Sequence, residues 1–351
     1  MTPVRLGVVG CGVIGPTHMR AANESPLIEL VAVADRIEER AQAAAEQFGV
    51  PKMHLEGSDL IDDPDVEAVV LAFPTCGRKP LALQAFSRGK HVLTEKPVAM
   101  GAGDVREMIA ARGNLTAACC SSRYRFLEGA RVATEFITSG ALGELRVVRT
   151  RSVIAAGEPP QSAPPEWRLK RALNGGGILM NWGCYDLDYL LGICGWSLRP
   201  QTVFAQTWPV APQFESYVAP NSEAETHYAA IIRCEGGTAI TLDRGEFMSA
   251  YGETAWQIVG SKGSLRLQMT TAQPKVIIHD EGVPGEGVVS RTLWEGEEDG
   301  SAVMSGPVCD FAAAIREGRP PKTGLEQALV VQQISDGIYA SAESGCSVEV
   351  E

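Results

Sequence analysis

The chain has 351 residues, 45% of them apolar and 21% charged, with a formal net charge of −12 at pH 7. That length suits two domains of ordinary globular composition. The acidic balance excludes a nucleic-acid-binding protein, which needs a basic surface for phosphate, and no apolar run reaches the ~20 residues of a membrane-spanning helix.

The first third alternates strands with helices. VRLGVVG (4–10) and IELVAVAD (28–35) are apolar, β-branched strands, with a helix between them through His18 and Ala22. EERAQAAAEQFG (38–49) is a helix ending on Gly49, VEAVVLAF (66–73) a third strand, and HVLTEK (91–96) a fourth. VREMIAARG and LTAACCSS carry the alternation to about residue 122. Near-continuous apolar strands separated by helices predict a doubly wound parallel sheet covered on both faces.

After 122 the rhythm changes. RVVRTRSVI, THYAAIIRC, GTAITLDRG, TAWQIVG and GSLRLQ are strands of clearer alternation. They predict a large, open, mainly antiparallel sheet with one face buried. A helix from 175 to about 192 lies among them, and CDFAAAIREG and LEQALVVQQISDGIYASAESG close the chain as two further helices. The expected division is therefore a parallel α/β domain over 1–122 and a second α/β domain over 123–351. The open face of the second sheet is expected to be too apolar for water and to be buried against a copy of itself, in a dimer or tetramer.

The nine cysteines contain no C-x-x-C pair and most sit in apolar runs, which reads as buried reduced thiols in a cytoplasmic protein, with neither disulfide nor metal. The opening MTPVRLGVVG runs straight into a strand without a cleavable leader pattern.

GCGVIG (10–15) is a G-x-G-x-x-G run between a strand and a helix, and Asp35 closes the next strand. Gly10 makes the tight turn, Gly12 lets backbone approach a pyrophosphate, and Gly15 lets helix and strand pack. With Val13 and Ile14 they offer the N–H groups of a helix N-terminus to phosphate. Asp35 accepts from ribose hydroxyls and repels a 2′-phosphate, which favours NAD over NADP; Arg36 beside it works in the other direction.

Residues 175–188, GGGILMNWGCYDLD, place Asn181, Tyr185 and Asp188 at i, i+4 and i+7, one polar stripe on an otherwise apolar helix. GKHVLTEKP (89–97) ends a strand in Glu95-Lys96-Pro97, where a strand end in such a sheet faces the ligand crevice.

Together with RYRF (123–126), SGALGELRVV (139–148) and SDGIYASAESG (335–345), these segments resemble the glucose-fructose oxidoreductase / inositol dehydrogenase / rhizopine-catabolism (Gfo/Idh/MocA) family over nearly the whole chain. The resemblance implies a Rossmann domain followed by an open-faced α/β domain. It implies hydride transfer between a nicotinamide and a hydroxyl-bearing carbon of a sugar, cyclitol or derivative. Pro74, Thr75, Glu95 and Lys96 are implied cofactor contacts. The family's helix after GGG commonly carries Asp and, four residues on, His as acid/base; here Asn181 and Tyr185 stand there. The resemblance therefore makes Tyr185 the proton carrier, Lys96 the cation that tunes it and Asn181 the group that orients the hydroxyl, with Asp188 structural. Asn181 departs from the family in carrying no charge or proton. In AFPTCGRKP (72–80), Cys76 and Arg78 stand where Asn and His are usual. Arg78, Arg123, Tyr124, Trp167 and Arg168 are candidate substrate contacts, and several arginines suggest a charged or heavily hydroxylated substrate. Two other functions stay open: cleavage of a glycoside through transient oxidation by bound NAD, and a non-catalytic dinucleotide sensor.

Overall fold

The computed structural model describes residues 2–162 and 165–351, in two compact units. The first takes residues 1–123 and 301–330, the second 124–300 and 331–351.

In the first unit β1 (Val4–Val9), α1 (Gly15–Glu24), β2 (Ile28–Ala34), α2 (Glu38–Phe48) and β3 (Lys52–His54) build one half of the sheet. The other half comes from α3 (Gly57–Asp62), β4 (Ala68–Leu71), α4 (Arg78–Ser87), β5 (His91–Thr94), α5 (Ala102–Arg112) and β6 (Ala117–Cys119). Among the described residues six strands pair in parallel in the order β3-β2-β1-β4-β5-β6. The order reverses beside β1, and ligands of such sheets bind at that reversal, beyond the strand C-termini. One buried cluster lies on each side of the sheet, with Val8, Val33 and Val70 in one and Val9, Ala34 and Leu71 in the other, as the period-two alternation of strands requires.

The second unit begins with α6 (Glu128–Thr138) and β7 (Leu145–Ala155), followed by α7 (Arg171–Asn174) and α8 (Cys184–Ile193). The strands β8 (Pro200–Trp208), β9 (His227–Cys234), β10 (Ala239–Met248), β11 (Glu253–Gly260), β12 (Gly263–Leu267), β13 (Lys275–Val283) and β14 (Gly287–Gly296) complete most of its sheet. Apart from the parallel pair β7–β10 its pairings are antiparallel. One face is closed by apolar rows such as Val203, Ile232, Ile240, Val148 and Ile258.

The other face corrects one expectation. Its apolar residues gather on β8 and β9, where Phe204 is 54% and Ile231 56% exposed. Its middle carries ion pairs instead: Arg151 with Asp243 at 3.3 Å and with Glu253 at 2.7 Å, and Asp243 with His227 at 3.0 Å. Arg151 and Asp243 stand directly opposite on neighbouring strands, with Glu253 and His227 two residues along, and these charges make that part of the face compatible with water.

The chain then returns to the first unit through α9 (Ser301–Glu317) and the start of α10 (Leu325–Ser344). A single break after residue 122 therefore does not describe the C-terminus. The cause is packing: Val308, Phe311 and Ala312 of α9 share a core with Met19, Ala21 and Ala22 of α1. The last residues go back to the second unit, where β15 (Val348–Glu349) pairs with β8.

Candidate active site

In the first unit the turn after β1 is shaped by its glycines. Gly10 has φ 98°, and a Cβ there would come 2.4 Å from the Ala72 carbonyl oxygen. A Cβ on Gly15 would come 1.9 Å from the Gly10 oxygen, whereas one on Gly12 would meet nothing within 4 Å. The loop is thus closed on the protein side and open at Gly12, Val13 and Ile14, with Val13 92% exposed. That opening at the start of α1 is what a pyrophosphate requires.

Asp35 lies beside it. Its carboxylate accepts the Cys11 N–H at 2.8 Å and the Ile37 N–H at 2.9 Å, so it ties the glycine loop to the end of β2. Arg36 is exposed and donates to Glu56 at 3.1 Å. Burial, with Asp35 adding to it, pushes the Cys11 thiol up to about 12, which makes it a neutral packing group.

The ends of β4 and β5 are held by buried charge. Pro74 precedes the short turn Thr75–Gly77, and Thr75 is buried. Arg78 is buried as well and donates to the carbonyls of Phe73 (2.6 Å), Glu95 (2.5 Å) and Pro97 (2.5 Å). Through these bonds it clamps the segment that carries Lys96. Glu95 is buried too, bonded to His18 at 2.7 Å and paired with Arg123, and it accepts the Lys96 N–H at 3.1 Å. Burial alone would raise the Glu95 carboxyl, but the Arg123 guanidinium and His18 hold it well below the usual carboxylate range. Its contribution is to fix the half-buried Lys96 rather than to present a carboxylate. His18, Glu95 and Cys120 lie within 4.8 Å of one another, yet their chemistry is not that of a metal centre. Arg123 already supplies the cation, and burial followed by Glu95 pushes the Cys120 thiol up, away from the thiolate a metal binds.

In the second unit the three glycines are a packing necessity. Gly175 is left-handed at φ 84° and ends α7. A Cβ on Gly176 would lie 1.8 Å from the Tyr339 hydroxyl and one on Gly177 1.9 Å from the Glu225 carbonyl oxygen. The helix that follows is not uniformly α: Leu179–Gly183 forms a π turn that runs into α8. Such wide turns are frequent at functional sites.

Asn181 sits in that turn, half-buried, and Tyr185 is the second residue of the α-helical part, 5% exposed. The Tyr185 ring meets Tyr124 edge-on at 5.3 Å and Trp182 at 5.6 Å, while Tyr124 and Trp182 stack at 6.2 Å. Three rings in mutual contact fix the direction of the phenol. Asp188 is fully buried and accepts from Arg125 at 2.6 Å, the structural role expected of it. Arg168 pairs with Glu246 at 2.5 Å, and Trp167 is 37% exposed.

Several groups here carried no local signal in the sequence. Asp186, fully buried, accepts from Arg244 at 2.5 and 2.9 Å and from Trp256 at 3.2 Å. The Arg244 guanidinium lies 5.1 Å from the Trp182 ring centroid, so an ion pair backs the aromatic cluster. Glu225 caps the helix through partners far away in the sequence.

Residues 4–119 match the family described as "Oxidoreductase family, NAD-binding Rossmann fold", and residues 130–266 match the GFO/IDH/MocA C-terminal domain. A dTDP-3,4-didehydro-2,6-dideoxy-alpha-D-glucose 3-reductase of Streptomyces violaceoruber is 30% identical over 293 residues, 77% of this chain and 74% of that protein. The myo-inositol 2-dehydrogenase of Thermotoga maritima is 25% identical over 99% of both chains. Among solved structures, levoglucosan dehydrogenase in complex with NADH and levoglucosan superposes with a TM-score of 0.84 at 22% identity, covering 99% of this chain and 100% of the other; it shares the fold. The open glycine loop, the Asp35 that holds it and the helix behind GGG thus belong to a protein of the Gfo/Idh/MocA oxidoreductase family, whose first unit is that family's NAD-binding Rossmann domain.

Proposed function

We propose that the protein oxidises or reduces a hydroxyl-bearing carbon of a neutral sugar, cyclitol or sugar derivative with NAD. Tyr185 is the proton carrier, Lys96 its tuning cation and Asn181 the group that orients the hydroxyl. The observation that carries this reading is the capped helix of the second unit, which sets a phenol and an amide four residues apart with the phenol ring locked by Tyr124 and Trp182. NAD, when bound, takes or returns the hydride.

What remains for the chain is the proton. As a secondary alcohol gives up hydride, its hydroxyl proton must leave, and a phenolate accepts it. A free phenol has a pKa of about 10, and a lysine cation nearby lowers it toward the working range. The backbone of Lys96 is fixed by Glu95 and Arg78.

Neutrality of the substrate is supported by the arginines. Arg78 serves three carbonyls, Arg123 pairs with Glu95, and Arg168 pairs with Glu246. Partners of this kind already balance their charge, so their number argues for a hydroxylated substrate and not for an anionic one. We also assign the β8–β9 corner of the open sheet, with Phe204 and Ile231, to a second copy of the chain.

A screen of sugars, cyclitols and glycosides that follows both NADH absorbance and release of free sugar tests the assignment. Net NADH from a polyol supports it. Cleavage of a glycoside without NADH accumulation would mean transient oxidation instead, and NAD binding with neither reaction would mean a sensor.

A further inference from the structure

The second unit contains a cavity of about 200 Å³ lined by Ser152, Trp182, Arg244, Glu246, Thr254 and Thr270, among others. Pockets that enclose a whole ligand run to roughly 300–1,000 Å³. This one has room for part of a molecule. Its lining is a row across the sheet: Arg244 of β10 is opposite Ser152 of β7, which is opposite Thr254 of β11. Trp182 forms another wall and also touches the Tyr185 ring, so the cavity is one indole away from the proposed proton carrier.

Two features define what the cavity accepts. The first is an unmet acceptor: Glu246 gives Oε2 to Arg168, while its buried Oε1 has no hydrogen-bond partner. An oxygen in that state calls for a donor from a ligand. The second is charge balance, because Arg244 is matched by Asp186 and Arg168 by Glu246. An indole wall, three hydroxyls, a carboxylate oxygen short of a donor and no net charge fit a neutral polyhydroxylated ring. Its C–H face would lie on Trp182 and one hydroxyl would donate to Glu246.

We propose that this cavity is a subsite for a second, non-reacting ring, and that the substrates are disaccharides or glycosides rather than free single-ring sugars. The inference rests on the assignment of Tyr185 above, since it is Tyr185 that places the reacting ring beside Trp182. The chemistry at the reacting ring is unaltered: hydride leaves carbon, a proton leaves oxygen, and the glycosidic bond stays intact.

Calorimetry on the intact, NAD-saturated protein compares glucose, galactose and mannose with maltose, cellobiose and lactose. An aromatic contact and a charged hydrogen bond together predict that at least one disaccharide binds about 10- to 100-fold more tightly than its component rings. Thr254→Trp, at an exposed position on the cavity mouth, should bring that ratio close to one, and Glu246→Gln should lower it about three- to tenfold. A ratio of one in the wild type overturns the proposal, and so does an advantage that survives Thr254→Trp in a folded protein. NADH formation separates this from the parent assignment. Tight disaccharide binding that Thr254→Trp abolishes, but with no NADH formed, leaves the subsite and removes the Tyr185 reading. Equal binding with NADH formed from free sugars does the reverse.

Discussion

The carboxylate of Glu225 reaches Gly177 across the turn, accepting its N–H at 3.0 and 3.1 Å while also taking the N–H of Leu179 at 3.0 Å. Tyr339 donates to the same carboxylate at 2.8 Å, and the Glu225 carbonyl oxygen takes the N–H of Ile178 at 2.9 Å. One residue thereby satisfies the first orphan donors of the helix that bears Asn181 and Tyr185, with its negative charge at the end of the helix that favours it. Glu225→Ala strands the N–H groups of Gly177 and Leu179 and the Tyr339 hydroxyl in a buried place, at about 1–3 kcal/mol each, while the Ile178 bond to the backbone carbonyl survives. The expected result is a loss of about 3 kcal/mol or more in urea unfolding, with a parallel fall in turnover. Glu225→Gln, which keeps an acceptor oxygen, should lose much less.

Tyr185→Phe keeps the ring contacts with Tyr124 and Trp182 and removes the hydroxyl proposed to carry the proton. Turnover of a confirmed substrate should fall by about 10² to 10⁴, with NAD affinity unchanged. Lys96→Met should cost at least as much and move the pH optimum upward, because the phenol loses its cation. Asn181→Asp should alter the rate without abolishing it. Steady-state kinetics across pH checks all three, and an undiminished rate in Tyr185→Phe would remove the phenol from the chemistry.

Asp35 accepts from the Cys11 and Ile37 backbone, and an acid that closes the second strand of such a sheet is suited to receive ribose hydroxyls. NAD should bind more tightly than NADP. Asp35→Ala should narrow that gap and also weaken NAD by roughly tenfold, since the glycine loop loses a partly buried charge-assisted bond worth about 1.5–3 kcal/mol. Titration calorimetry with both cofactors decides the matter; tighter NADP binding by the wild type contradicts it.

Glu95 links stability to pH. Its folded carboxyl is depressed below the ordinary value of 4.5 by Arg123 and His18 against the opposing effect of burial. A depressed acid stabilises the fold above the unfolded value, and that contribution is lost as pH falls from about 4.5 toward the folded one. Glu95→Gln breaks a buried pair and should cost about 3–5 kcal/mol at pH 7. The difference from wild type should shrink steadily below pH 4.5, as measured by urea unfolding at several pH values. A constant difference would mean that Glu95 is neutral in the native protein.

Assembly has a direct test. Phe204→Arg together with Ile231→Arg places charge on the exposed apolar corner of the open sheet. Light scattering at micromolar concentration should report an oligomer for the wild type and a smaller species for the double variant. A monomeric wild type would withdraw the assignment.

What the sequence made legible follows from how local each signal is. Glycine spacing, the acid closing β2 and the alternation of β1, β2, β4 and β5 are local, and they located the parallel sheet and its loop. The strands β8, β13 and β14 went unread: on β14 exposed residues such as Val288 and Arg291 follow one another with no buried row to set a period. For Arg78 and Arg123 a sequence shows the charge and hides the partner. Their partners, Phe73, Glu95 and Pro97, become neighbours only when β4 and β5 pair. Glu225 and Asp186 are readable only from contacts with residues 46 or more positions away, and no pattern in a window reports those.

The π turn at Leu179–Gly183 makes chain length itself a determinant of the site. A turn of this kind holds one residue more than the α-helix around it. Removing any one of the five would restore regular helix, and because the wide turn absorbs the extra residue, the segments before and after it would keep nearly their present orientation. Gly177, clamped by Glu225, and Tyr185, wedged between two rings, would hold their places, and the residues of the turn itself, Asn181 among them, would change face. The place of Asn181 relative to Tyr185 is therefore a property of an insertion as much as of two side chains. Two relatives that differ by one residue in this segment would set different residues of the turn beside the position of Tyr185 even if their letters matched.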